Sequence, residues 1–216
     1  MRILSRLALL ATLPLLVGCF DFTQGVAIAP DGTATVTMVS VMKPQMLAMD
    51  PELPGDDFCG PPDAADVPAD FTAVAEQTTG DDGSAICTVT MTGPMESLAE
   101  LLANQALAPD GAEDQDIQVT LTDEGNGEYT YAVVFEIAAN DEPAATPEAQ
   151  LQQQQMETMM LQMMEGGVLT WTLTAPRIIS SDGVVDGNTV TYTVPLTAMI
   201  TDQGTTKGFT VRFALR

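Results

Sequence analysis

Methionines form the densest group of potential ligand atoms in this chain. They lie in residues 148–165, a helix-forming segment that Gly166 and Gly167 terminate. At about 100° per residue, the five methionines of this segment fall within roughly 140° of the helix circumference, the width of an ordinary buried face. Thioether sulfur is also a soft ligand that suits Cu(I). The five residues are Met156, Met159, Met160, Met163 and Met164.

Three interpretations of this methionine stripe remain open. Methionine most often fills irregular cores, and it also lines adaptable apolar pockets. Copper binding ranks third because no histidine or cysteine joins the group, and it requires the stripe to face solvent. If the stripe lines a pocket, we expect other apolar residues from a second helix and the following strand to complete it, namely Leu98, Leu101, Leu102 and Trp171.

The thiol of Cys19 is the second candidate for chemistry. Residues 7–17 form an apolar run behind Arg2 and Arg6. The run is typical of a signal peptide and too short for a membrane span, which needs about 20 apolar residues. It ends in Leu16-Val17-Gly18-Cys19, which resembles a bacterial lipobox. The motif implies a diacylglyceryl thioether on Cys19, cleavage before it and acylation of the new N-terminus, although a plain signal peptide remains the alternative.

The lipobox predicts how the chain is divided and where it is located. We expect a signal peptide at residues 1–18, a lipidated tether at 19–24 and a single domain at 25–216. Two or three acyl chains give a stable membrane anchor, whereas one chain is marginal. Phe20 follows Cys19, and the absence of an aspartate there favours the outer membrane, facing the periplasm, over retention in the inner membrane.

The remaining cysteines, Cys59 and Cys87, are expected to form a disulfide. An exported chain folds in an oxidising compartment, where paired cysteines persist as disulfides. Closing a loop of this size is worth about 3–4 kcal/mol in the chain-entropy model. The bond would hold the proline-rich loop at 50–70 against a strand, and two free buried thiols are the alternative.

Composition excludes most catalytic chemistry. The chain has no histidine, which removes Ser-His-Asp and Cys-His catalysis and histidine-based zinc sites. Lys43 and Lys207 are the only lysines, and neither lies in a recognisable motif. The acidic residues at 56–57 and 113–116 lack the ligand spacing of an EF-hand. We therefore expect no enzyme activity, no metal site and no cofactor.

The net charge limits the partners. It is −23 for the full chain and becomes −25 when Arg2 and Arg6 leave with the signal peptide. Such a surface repels phosphates and anionic lipid headgroups. Nucleic acid is therefore excluded as a partner, and a lipid on Cys19, not electrostatic attraction, must hold the protein to a membrane.

Hairpins and helices alternate along the domain without β-α-β regularity. This order predicts an α+β fold with a largely antiparallel sheet built from hairpins and two main helices, 94–105 and 148–165, packed on one face. Alternating apolar residues and glycine-containing turns define the hairpins. The predicted strands are 26–29, 33–42, 71–78, 85–92, 117–122, 129–137, 168–174, 177–180, 189–194 and 209–215, and a short helix is expected at 43–49.

The final third of the chain contains a distinctive pattern. Pro176-Arg177-Ile178-Ile179-Ser180-Ser181-Asp182-Gly183 is followed by Gly187-Asn188-Thr189-Val190 and the aromatic Tyr192. This pattern resembles the signature of LppM-like bacterial lipoprotein domains, although Asp182 replaces the usual Asn and Tyr192 a common Trp. The resemblance implies an α+β domain that binds lipid or glycolipid and has no catalytic residues. Many members end in a transmembrane helix that this chain lacks, so Cys19 is expected to be the only anchor.

Two functional hypotheses follow. The first is a non-enzymatic, membrane-anchored envelope lipoprotein that binds a lipid or another apolar ligand in a pocket between the sheet and the two main helices. A continuous cavity there would support it. The second is a structural or assembly lipoprotein that contacts another envelope protein, which predicts an exposed apolar patch and no cavity. Copper binding by the methionines is a distant third.

Overall fold

The protein folds into two β-sheets. The structure, a computed structural model, describes residues 20–49, 59–64, 66–104, 117–137 and 146–216. The strands of the larger sheet are β1 (Phe20–Ile28), β2 (Thr33–Met42), β3 (Thr72–Thr79), β4 (Ala85–Pro94), β7 (Val168–Thr174), β9 (Val184–Asp186) and β10 (Thr189–Pro195). The strands of the smaller sheet are β5 (Ile117–Gly125), β6 (Glu128–Ile137), β8 (Arg177–Ser181) and β11 (Thr205–Ala214).

Strand pairing is antiparallel with one exception. The larger sheet has the order β3-β4-β2-β1-β7-β10-β9, and the smaller has the order β5-β6-β11-β8. In the larger sheet, β1 and β7 run parallel, with Phe22 opposite Leu169 and Ala27 opposite Thr174. The first strand of the described chain therefore lies in the middle of the larger sheet, between β2 and β7.

Four helices accompany the sheets in the described part of the chain. They are α1 (Pro44–Met49), α2 (Leu98–Asn104), α3 (Pro147–Met164) and α4 (Ala198–Thr201). A single 3-10 turn, Met95–Ser97, leads into α2. None of the helices in the described ranges is long and apolar enough to cross a membrane.

The tight turns contain residues suited to their geometry. Between β1 and β2 the Asp31 carboxylate accepts a hydrogen bond from the Thr33 backbone N–H at 2.9 Å, and Gly32 has a φ of 86°. Between β5 and β6, Asn126 and Gly127 have φ values of 58° and 76°. Positive φ costs glycine little and is tolerated by asparagine, so these turns set the register of their hairpins.

The two sheets pack face to face through aromatic side chains. Trp171 of the larger sheet stacks on Phe135 of the smaller one, with ring centroids 5.2 Å apart. Tyr192 stacks on Phe209 in the same way at 5.0 Å. Tyr131 meets the edge of Phe209 at 6.0 Å. The first two contacts join the inner faces of the two sheets into one hydrophobic core, and the third lies within the smaller sheet.

The α+β class is confirmed, but its arrangement differs from the expectation. The strands form two sheets instead of one, and residues 20–24, predicted as a tether, form the first half of β1. Of the two main helices, α2 packs on β5, whereas α3 packs closely on none of the other elements that the structure describes. The strand begins early because residues 20–24 continue the hairpin with residues 38–42 of β2, and residues 22–24 also pair with β7. Cys19 lies outside the described residues.

The predicted disulfide between Cys59 and Cys87 is present. The two Cα atoms lie 5.3 Å apart, and the bond joins the loop before β3 to the middle of β4. Cys87 is buried, with its side chain on the core face of the sheet. The part of the loop at 50–58 lies outside the described residues.

Candidate functional site

The predicted pocket residues of α2 and β7 belong to the core. Leu98 and Leu101 are completely buried, and Leu102 and Trp171 are nearly so. Because α2 packs against β5 and Trp171 is stacked between the sheets, their side chains are enclosed by protein. They contribute to the stability of the core.

The methionines of α3 lie elsewhere, on an exposed helix. Met156 is 59% exposed, Met159 55% and Met160 36%, while Met163 and Met164 in the last turn are half-buried. The structure therefore does not bring the two halves of the predicted pocket together. Helical spacing places the methionines on one face of the helix, but it carries no information about whether that face contacts protein or solvent.

Solvent exposure is what the copper hypothesis required of the methionine stripe, but the other ligands it would need are missing. The chain has no histidine. Cys59 and Cys87 are joined in a disulfide, so neither is available as a thiolate. Within the described ranges, no cluster of His, Cys, Asp and Glu could hold a metal ion.

The larger sheet presents a regular array of threonines on the face opposite the core, which we call the threonine face. Along β2, β4 and β7, apolar residues that face the core alternate with partly exposed residues, most of them threonine, as the pleat requires. Across the strands the threonines lie in register. The threonines of this face are Thr23, Thr33, Thr35, Thr37, Thr72, Thr78, Thr88, Thr90, Thr92, Thr170, Thr172, Thr174, Thr189, Thr191 and Thr193.

A groove runs along the middle of the threonine face. It forms because Gly25 and Ala27 on β1 have little or no side chain, while Thr37 on β2 and Thr172 on β7 stand on either side. A Cβ atom at Gly25 would lie 3.0 Å from Thr172 Oγ1, so glycine keeps the groove open. Its volume is about 260 Å³, and it is lined by Thr23, Gly25, Val26, Ala27, Thr35, Thr37, Val39, Thr172 and Thr174.

The groove is electrically neutral in a strongly acidic protein. Its lining residues carry no charge, although the whole chain has a net charge of −23. Threonine hydroxyls donate and accept hydrogen bonds, and their methyl groups offer apolar contact. Some hydroxyls bond to each other, such as Thr174 Oγ1 to Thr189 Oγ1 at 2.8 Å. The lining suits a neutral ligand that has both hydroxyl groups and carbon–hydrogen surface.

Sequence reasoning missed this face, although a signal was present. Thr-x-Thr runs recur at 33–37, 88–92, 170–174 and 189–193. Threonine favours strands and forms stabilising cross-strand pairs, so each run was interpreted only as half of a hairpin. The pairing of β1 with β7, which brings the runs side by side, cannot be inferred from local pattern.

Both lysines are engaged in ion pairs. Lys43 Nζ lies 3.4 Å from Asp21 Oδ2. Lys207 Nζ lies 2.8 Å from Asp202 Oδ2, and this hydrogen bond raises the pKa of Lys207. The Lys207 amine therefore stays protonated at neutral pH and is a poor nucleophile.

Within the described part of the chain, two polar side chains are buried in the core without hydrogen-bond partners. Gln24 is completely buried, and neither its amide nitrogen nor its oxygen has a hydrogen-bond partner. The Tyr131 hydroxyl is also unpaired, and burial raises its pKa well above the ordinary value. A phenol that stays protonated cannot act as a general base at neutral pH.

Comparison with known proteins identifies the fold. No family model matches the sequence, and no curated protein matches it. The structure is similar to the folded domain of LppM from Mycobacterium tuberculosis, determined by NMR, with a TM-score of 0.52 and 12% sequence identity over 94% of each chain. At this identity the similarity shows the fold alone, and it confirms the LppM-like architecture that the sequence pattern implied.

Proposed function

We propose that this chain is a lipid-anchored, non-enzymatic envelope protein that binds a neutral, sugar-bearing amphiphile in the groove of the threonine face. The observation that carries this proposal is the neutral, hydroxyl-lined groove along β1, the strand that directly follows Cys19. The pocket between α2 and α3 is no longer part of the proposal, because the leucines of α2 are enclosed in the core.

The chemistry of the groove favours a sugar headgroup. Sugar hydroxyls can exchange hydrogen bonds with the threonine hydroxyls, while ring carbon–hydrogen surfaces contact the methyl groups and Val39. An anionic headgroup would meet the repulsion of the surrounding acidic surface. The volume of about 260 Å³ is slightly below the roughly 300–1,000 Å³ of pockets for drug-sized molecules, so the groove would hold part of an amphiphile.

The position of the groove supports a ligand that projects from a membrane. Thr23, at the near end of the groove, is three residues after Phe20, which is about 10 Å along an extended strand. If acyl chains on Cys19 enter the bilayer, the groove begins close to the headgroup region. The lipobox and Phe20 support an anchor in the outer membrane facing the periplasm.

The test compares binding by the domain, residues 20–216, with binding by three variants. The probe is a short-chain glucosyl diacylglycerol, and binding is measured by native mass spectrometry. Gly25→Val fills the groove and should reduce affinity about tenfold or more, the equivalent of roughly 1.4 kcal/mol. Thr172→Val removes one hydroxyl at nearly constant volume and should weaken binding about 2–12-fold, which corresponds to the loss of one hydrogen bond.

Thr90→Val provides the matched control. It makes the same hydroxyl-to-methyl change on the same face, but Thr90 lies outside the groove, so its affinity should equal that of the unchanged domain. Equal binding by all four proteins, or no binding of the glycolipid by any, would refute the proposal. Stronger binding of a short-chain phosphatidylglycerol would refute the preference for a neutral headgroup.

A second candidate function is assembly with another envelope protein, and the edge of the larger sheet favours it. The edge strand β9 exposes Val184 (75%) and Val185 (49%). Exposed apolar edge strands are templates for pairing with another chain. Specific photo-crosslinking from position 184 to one envelope protein, combined with absence of glycolipid binding, would favour assembly.

A further inference from the structure

The helix α3 is long, and most of it is exposed. Its 18 residues span about 27 Å. Every side chain from Leu151 to Met160 is exposed, and only the last turn is partly covered. Among the described residues, α3 makes no extensive contact with another element that would cover its exposed apolar side chains.

The apolar side chains are concentrated in the second half of α3. Residues 152–155 in the first half are all glutamine, whereas the five methionines begin at Met156. The methionines occupy one side of the helix, whereas Thr158, about 170° from the centre of that side, shares the other side with Leu151 and Leu161. The helix contains two acidic residues, Glu148 and Glu157, and no basic residue, so any attraction of this surface is apolar, not electrostatic.

The methionine end of α3 lies beside the start of β1. After α3, the backbone N–H of Gly167 donates to the Met164 carbonyl oxygen at 3.0 Å, and the chain then enters β7. A Cβ atom placed on Gly167 would lie 2.6 Å from the carbonyl oxygen of Phe20. The end of α3 is therefore close to the residue that follows Cys19, since successive Cα atoms are about 3.8 Å apart.

We propose that α3 is an interfacial helix whose methionine stripe lies on the surface of the bilayer, next to the acyl chains on Cys19. This inference rests on the lipid anchor of the proposed function. Anchoring at Cys19 keeps the stripe close to lipid, which raises its effective concentration at the membrane. Apolar side chains of such helices enter the boundary between headgroups and acyl chains by about 5–10 Å. Because α3 lacks basic residues, the surface it suits is zwitterionic.

The experiment places a fluorescent reporter on each side of α3. In a chain of residues 19–216, Cys19 is the only free thiol, because the other two cysteines form the disulfide. It is coupled to a maleimide lipid in vesicles of brominated phosphatidylcholine. Met159→Trp places an indole in the stripe, and Thr158→Trp, the matched control, places one on the opposite side. Trp171, the only native tryptophan, is buried and gives a constant background.

We expect tethered Met159→Trp to be quenched by the brominated lipid about threefold more than tethered Thr158→Trp, since only the stripe reaches the acyl boundary. Met156→Trp should behave like Met159→Trp. Equal quenching at both sides would overturn the inference and leave a protein partner as the reason for the exposed stripe. Because Cys19 is coupled to the lipid chemically, the quenching result does not depend on natural acylation. Whether Cys19 is acylated in the cell is tested separately by the intact mass of the protein extracted from membranes.

Discussion

Reduction of the Cys59–Cys87 disulfide should lower the free energy of unfolding by about 3.5 kcal/mol. The bond links residues with a sequence separation of 28, and the chain-entropy relation for a loop of that size gives this value at 25 °C. A domain of about 200 residues loses roughly 2–4 °C of melting temperature per kcal/mol. The expected decrease in Tm is therefore about 7–14 °C.

The location of the bond explains why its loss should not unfold the domain. Cys87 lies inside β4, where it pairs with Ser40 of β2 and Gln77 of β3. These ladders remain when the sulfur–sulfur bond is broken, so reduction acts mainly by releasing the loop that contains Cys59 and by enlarging the unfolded ensemble. The sheet should stay folded at 25 °C with lower resistance to denaturant.

The assay is urea unfolding of the same purified domain before and after reduction, followed by the fluorescence of the buried Trp171. A Cys59→Ser/Cys87→Ser variant is the control and should not respond to reductant. A loss below about 1 kcal/mol with an unchanged urea slope would refute the loop-entropy reasoning. A changed slope would instead show that reduction alters the compactness of the unfolded chain.

Three further predictions concern the core, the surface and the anchor. Gln24→Met should raise the free energy of unfolding by about 1–3 kcal/mol in urea titrations, because it removes an unpaired buried amide; a loss of stability would contradict the absence of a partner. Asp202→Asn should lower stability at pH 7, and this loss of stability should become smaller at acid pH in the same titration. Hydrogen bonds from Lys207 and Thr201 lower the pKa of Asp202, so the ionised carboxylate stabilises the fold above the unfolded-state pKa of about 3.9. This stabilisation is lost as the pH falls through the folded-state pKa of Asp202. An equal difference in the free energy of unfolding at neutral and acid pH would contradict this reasoning. Cys19→Ala should move the protein from the membrane fraction to the soluble periplasmic fraction, and unchanged fractionation would contradict the lipid anchor.

Local chemistry made several elements predictable. Residues 33–42 and 168–174 were predicted with the bounds that the structure gives to β2 and β7, because alternation and turn residues mark both ends. Gly166 and Gly167 likewise marked the end of α3. The short strand β9 and the helix α4 were missed, because three or four residues are too few to show a period.

Long-range pairing made the rest unpredictable. Residues 20–24 were assigned to a tether although they lie opposite residues 38–42 of the predicted strand 33–42, and their additional pairing with the distant β7 leaves no local pattern. The Thr-x-Thr runs were visible in the sequence, but the groove was not, since Gly25 acquires a role only when Thr37 and Thr172 flank it. The direction of the methionine stripe depends on where α3 sits relative to the sheets, and periodicity reports only that the residues share a side.

The central position of β1 has a mechanical consequence. A pull on the N-terminus enters the domain at Phe20 and runs along β1, which is hydrogen-bonded to β2 on one side and to β7 on the other. Because these bonds lie across the strand, such a load shears both ladders together instead of opening them one bond at a time. A chain tethered through its first strand would therefore resist extraction by force far better than one held through an edge strand such as β9.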